Sequence, residues 1–160
     1  TKHNDAQLAL SSIGQYDVAA SPLQMAMVAA GIANDGVLME PYLTKSVRAA
    51  NLQTVWSHKD TPMSTPMTRK SAKQLQEMMV SVVNNGTGRN ARISGVTVGG
   101  KTGTAQTSPD KPPYAWFVGW SDKPKVAVAV FVESSNTERS EIAGGRLGAP
   151  IARDVIEALR

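Results

Sequence analysis

Leu23, Met27, Ala30, Ile32 and Ala33 mark the apolar side of a helical repeat between Ser21 and Gly36. Ser21 supplies an N-cap oxygen, Pro22 suits the first helical position, and Gln24 stands three residues after the cap, where a capping box needs it. Asn34-Asp35-Gly36 ends the run near a glycine. A second repeat follows Thr68, with apolar positions at Ala72, Leu75, Met78, Met79, Val82 and Val83, and Asn84-Asn85-Gly86 stops it. A third, after Pro150, is expected to bury Ile151, Val155, Ile156 and Leu159.

Between these helices the pattern alternates. Residues 37 to 58 predict short strands joined by a turn, and Pro62 and Pro66 mark a loop. A strand is expected through Val96 and Val98 and on into Lys-Thr-Gly-Thr at residues 101–104, followed by a proline-rich loop, TSPDKPP. AWFVGW and VAVAVFVE are separated only by SDKPK, too short for a helical crossover, so they form an antiparallel hairpin. A glycine-rich loop at residues 143–148 leads into the last helix. The elements predict an α+β fold: an antiparallel sheet flanked by helices.

Composition narrows the function. With 160 residues, 41% of them apolar, the chain can bury a sizeable core. A net charge of +4 is mild. The basic residues are scattered singly, which argues against a nucleic-acid partner. Without cysteine there is no disulfide or thiolate metal site. His3 and His58 are too far apart in the sequence to suggest a metal site or a Ser-His-Asp triad, and no cofactor is expected. No apolar run approaches a membrane span and no leader-like segment opens the chain, so a soluble chain is expected, with any anchor upstream.

Residues 95–105, GVTVGGKTGTA, carry the candidate chemistry. Gly95, Gly100, Lys101 and Thr102 satisfy the spacing of a phosphate-binding P-loop. That loop works by feeding into a helix whose N-terminal N–H groups hold phosphates. Here Gly103, Pro109, Pro112 and Pro113 follow, so no helix can form. The alternative places Lys101 to Thr104 on a strand. Gly103 then lets another backbone approach, a peptide can pair along the edge, and the Thr102 and Thr104 hydroxyls can bind a carboxylate. The triplet alone also fits an ordinary strand with a solvent-facing lysine.

Three blocks extend the pattern: SSIGQYDVAASPLQMAMVAAGIANDGVLMEPYL, then MMVSVVNNGTGRNARISGVTVGGKTGTAQ, then AWFVGWS with VAVAVFVE and a closing helix. Together they resemble the transpeptidase domain of class B penicillin-binding proteins, actinobacterial ones above all, from about Leu10 to the C-terminus. The resemblance implies a peptidoglycan D,D-transpeptidase on the extracytoplasmic face of the membrane. In such enzymes a serine attacks the D-Ala-D-Ala stem peptide and hands the acyl group to an amine, and β-lactams intercept the reaction. It also implies that residues 1–160 are the C-terminal part of the domain, incomplete without an upstream segment that carries the serine. Lys101 and Thr104 resemble the family's catalytic lysine and oxyanion donor. Thr102, Gly103, Thr104 and Gln106 resemble its substrate-binding strand, while Tyr114 and Trp116 fit either cleft neighbours or turn and core residues.

Two further matches are refused. Ser108-x-x-Lys111 fits the family's S-x-x-K pattern, but its prolines forbid the helix that would set both side chains on one face. Ser134-x-Asn136 fits S-x-N, yet both matches lie downstream of residue 101, whereas the family order puts them upstream. Tyr16 stands where relatives often carry glycine. A serine β-lactamase on the same scaffold and a non-catalytic module, sensing β-lactams or binding division or elongation proteins, are the alternatives.

Overall fold

The structure, a computed structural model, describes residues 4–107 and 110–160. Helix α1 (Asp5–Ser12) is capped by the Asn4 side chain, which accepts from the N–H groups of Ala6 and Gln7. The alternating pattern gave no sign of α1: it buries no residue, so it leaves no apolar stripe. Helix α2 (Pro22–Ala33) starts with the expected capping box, Ser21 and Gln24 each accepting the other's backbone N–H. Four short strands follow, β1 (Leu38–Met39), β2 (Ser46–Arg48), β3 (Thr54–Ser57) and β4 (Pro62–Ser64). β2 pairs with β3 and β1 with β4. Pro62, expected in a loop, opens β4 instead, because a first-position proline withholds no ladder hydrogen bond from a two-stranded ribbon.

Helix α3 (Arg69–Asn85) begins at Thr68, whose hydroxyl accepts from the Ser71 N–H. Then come β5 (Val98–Ala105), β6 (Tyr114–Asp122) and β7 (Lys125–Val132), an antiparallel sheet in the order β5-β6-β7. The β6–β7 turn is tighter than the sequence suggested, only Lys123-Pro124, with Asp122 paired to Lys125. A π-type turn at Gly144–Gly148 leads into α4 (Ala149–Ala158).

The sheet register divides the side chains between two faces. Lys101, Gly103, Trp116, Val118, Trp120 and Phe131 share one face; Thr102, Thr104, Phe117, Val128 and Val130 share the other. α2 packs on the first face, where Ile32, Met79 and Trp120 form a small core. α4 covers the second, burying Ala149, Ala152 and Ile156 with Val83, Ile93, Val98, Phe117 and Val130. α3 lies along β5 and reaches both cores. Gly99 and Gly100 are required there: a Cβ would sit 2.4 Å from the Trp120 indole at one and 2.3 Å from the Phe117 ring at the other.

The apolar face of α4 is rotated from the expected one. Ile151, Val155 and Leu159 are exposed, since Ala149 and Ala152 bring the helix backbone close to the sheet and leave room for one large side chain, Ile156. Leu23 and Met78 are exposed as well.

Asp35, at the end of α2, binds the start of α3. Lys73 Nζ lies 2.8 Å and Arg69 Nη2 3.2 Å from its carboxylate, and Gln76 Nε2 donates at 3.3 Å. The hydrogen bond from Lys73 is the main cause that lowers the Asp35 pKa from 3.8; desolvation opposes it, and Gln76 and the two cationic charges reinforce it. A depressed carboxyl pKa stabilises the fold above its unfolded value and ceases to do so as pH falls through the folded one. Asp35→Asn therefore gives a small drop in Tm at neutral pH that disappears in acid below 3.8. A Tm difference that stays constant down to strong acid would contradict this coupling.

Candidate functional site

β5 is an edge strand. In an antiparallel ladder the N–H and C=O of one residue point to the same side, and successive residues alternate. The Thr97 carbonyl accepts from the Asp122 N–H, at 3.1 Å, so residues 97, 99, 101, 103 and 105 face β6. Residues 102, 104 and 106 consequently turn their backbone groups outward, away from the sheet.

Those outward groups have two internal partners. Lys101 Nζ bends over the edge and donates to the Thr102 carbonyl at 2.6 Å. The Gln15 carboxamide does more: its Nε2 donates to the Thr104 carbonyl at 3.3 Å, and its Oε1 accepts from the Gln106 N–H at 3.2 Å. The Thr104 N–H points out between them. On the α4 side of the strand the Thr102 hydroxyl meets that of Thr87, 2.6 Å away.

Two recesses flank this edge. The first, about 480 Å³, opens on the α2 face beside Lys101 and Thr104, floored by Trp116, Val118 and Phe131 and walled by Ile13 to Gln15. Tyr114 and Trp116 thus serve both readings the sequence allowed: they line the recess, and they pack on Phe131 with ring centroids 5.1 and 4.6 Å away. The second recess, about 580 Å³, is bounded by Thr104, Gln106, Pro113, Glu138, Arg139, Ser140 and Ile142. Lys101, Thr102, Gly103, Thr104 and Gln106 are therefore gathered along one strand edge with space on either side.

The lysine of the P-loop spelling sits in an antiparallel sheet, and among the described residues β6 is the next element after its strand, with no helix between. The phosphate-binding reading ends there. Ser108 and His3 lie outside the described residues. Ser134 and Asn136 are exposed beyond β7 and line neither recess. His58 stacks on Tyr42 at 3.6 Å and lines neither recess. Among the described residues lining the recess beside Lys101 there is no serine.

The chain matches the family model for the penicillin-binding protein transpeptidase domain over residues 1–157. It belongs to that family. The peptidoglycan D,D-transpeptidase PbpA of Mycolicibacterium smegmatis is 42% identical over 158 residues, covering 96% of this chain and 32% of the relative. The PbpA of Mycobacterium tuberculosis is 40% identical, over 97% of this chain and 32% of its own. Penicillin-binding protein A from M. tuberculosis, solved as an imipenem acyl-enzyme complex, superposes with a TM-score of 0.84 at 38% identity, covering 98% of this chain and 35% of that one. Its crystal structure without a named ligand gives 0.86 at 39% identity, over 98% and 38%. The transpeptidase segment thus spans about a third of the length of the curated relatives it matches.

Gln15 and Thr87 are the residues of this transpeptidase segment that sequence reasoning left unnamed. Both lie inside quoted blocks, in IGQ and NNGTG, but their partners are 91 and 15 residues away in the chain. Behind the strand, Gly144 sets the position of Gly103: a Cβ on it would meet the Trp116 carbonyl at 1.9 Å and the Gly103 backbone at 2.8 Å. Gly144→Ala forces the turn off the strand and destabilises the fold by about 3 kcal/mol. Gly95→Ala, strained by φ +73 but with nothing within 4 Å, costs about 1 kcal/mol. Urea denaturation of both variants checks the order, and equal losses would contradict it.

Proposed function

We propose that residues 1–160 are the C-terminal part of the catalytic domain of a peptidoglycan D,D-transpeptidase, and that Lys101 and Thr104 act in its acyl transfer. The observation that carries this is the outward edge of β5, where an ammonium group, a free backbone N–H and two threonine hydroxyls border an open groove. A stem peptide lies along that edge as an added strand. The Thr104 N–H stabilises the oxyanion formed when a serine attacks the penultimate D-alanine carbonyl. Lys101 keeps the site electropositive, Thr102 and Thr104 hydrogen-bond the terminal carboxylate, and Gly103 leaves the strand open to the peptide. Gln106 flanks the carboxylate end. D-alanine leaves, and an amine of a neighbouring strand takes the acyl group.

The serine belongs to an upstream segment. Two features support that assignment besides the length of the relatives. The accessible surface is 10725 Å², against roughly 7,700 Å² for a compact monomer of 17.0 kDa. Large apolar residues are exposed on α1, on α2 and on α4 and its C-cap, among them Leu8, Leu23, Ile151, Val155 and Leu159, and among the described residues no strand pairs with the outer edge of β7. An upstream segment that adds a strand to β7 and covers these faces completes the domain.

The substrate places the intact protein outside the cytoplasmic membrane. None of the described helices is long and apolar enough to cross it, so anchoring also falls to the upstream segment. β-lactams, which mimic D-Ala-D-Ala, acylate the same serine. Fluorescent penicillin labels the intact protein on a serine N-terminal to residue 1, and Lys101→Ala slows labelling by about 100-fold, the scale of losing one electrostatic stabiliser. Peptide mapping of the adduct to Ser108 or Ser134, or no adduct at all, would overturn the proposal.

A further inference from the structure

The Gln15 carboxamide is itself a small amide laid against the open edge of β5. It donates to the Thr104 carbonyl and accepts from the Gln106 N–H, two outward groups of the edge that a peptide paired along β5 would otherwise take. Its placement is built rather than incidental. Gly14 and Tyr16 on either side both adopt left-handed backbone, φ +75 and +63. The turn is closed by Gly14 and Gln15 N–H bonds to the Ser11 and Leu10 carbonyls, each 3.0 Å. The Tyr16 hydroxyl accepts from Gln7 Nε2 at 2.5 Å, tying the turn back to α1. Tyrosine at a left-handed position is unfavourable without such support. This explains why a glycine suits the position and shows that the chain holds Gln15 in place at some conformational cost.

We infer that Gln15 is an internal stand-in for the ligand amide: it occupies the Thr104–Gln106 edge and must be displaced before a peptide or an acylamino β-lactam can pair there. The inference rests on the transpeptidase reading, since only a ligand laid along β5 competes with it. Thr104 is the pivot. Its N–H faces the reacting carbonyl, while its own carbonyl, two atoms along the chain, is held by Gln15 until the ligand's N–H replaces the carboxamide. Displacement is feasible because Gln15 is half-buried at the mouth of the recess it walls, and its freed carboxamide can return to water.

Ligand chemistry separates this role from a mere tether. Penicillin G carries an amide N–H beside its reactive ring and competes with Gln15 for the Thr104 carbonyl. Imipenem carries a hydroxyethyl group there and has no such N–H. In the intact protein, Gln15→Ala raises the second-order rate of acylation by penicillin G by about five-fold, what two half-exposed hydrogen bonds are worth, and changes the imipenem rate by a smaller factor. Gln15→Glu keeps the side-chain size and the Gln106 contact but cannot donate to Thr104, and it too speeds penicillin G. The inference fails if both variants slow penicillin G or leave it unchanged, or if they shift both antibiotics equally. Should the unsubstituted protein react with neither antibiotic, the transpeptidase reading itself is lost, a result distinct from an unmoved ratio.

Discussion

An edge strand has a row of backbone groups that no neighbouring strand satisfies, and everything at this site follows from how β5 handles that row. Its first residues are covered by α3, which fits only because Gly99 and Gly100 make room for the Trp120 and Phe117 rings. Its last residues are left to side chains: Lys101 bonds the Thr102 carbonyl, and Gln15 bonds the Thr104 carbonyl and Gln106 N–H. Side chains can move aside where a paired strand cannot. The edge is therefore partly satisfied when empty, and its Thr104 N–H stays open to a ligand.

The other side of β5 is made rigid. Gly144, Gly145 and Gly148 carry the chain over Trp116, Thr87 and Phe117 at distances no side chain would permit. Asn90 Nδ2 donates to the Gly145 carbonyl at 2.8 Å, fastening the turn to the segment before β5. The Thr87–Thr102 hydroxyl contact belongs to the same support. The threonine face of the strand thus rests on fixed backbone, while the lysine face opens on the groove: a stiff donor edge with a free approach, which is what stabilising a developing oxyanion requires.

Much of this was legible in the sequence because it depends on near neighbours. Ser21-Pro22 with Gln24 announces its own capping box, Thr68 its cap, and the short SDKPK link forces β6 and β7 antiparallel. The prolines after Gly103, which forbid the helix a P-loop feeds into, separated a strand-borne Lys101 from a P-loop lysine. What remained hidden depends on distant partners. The facing of α4 cannot be told from a helix with apolar residues on two sides, since the small Ala149 and Ala152 decide which side approaches the sheet. β4 was masked by Pro62, and α1 by its lack of any buried residue. Gln15 looks like any loop glutamine until the fold brings it to Thr104.

The central claim is that ligands react while lying against the outer edge of β5. A crystal structure of the intact protein acylated by penicillin G tests it most directly. The account predicts the acyl carbonyl oxygen within hydrogen-bond distance of the Thr104 N–H, the ligand carboxylate on the Thr102 and Thr104 hydroxyls, and the Gln15 carboxamide withdrawn from the strand. An acyl group bound away from β5, with the contacts of Gln15 to Thr104 and Gln106 intact, would contradict it.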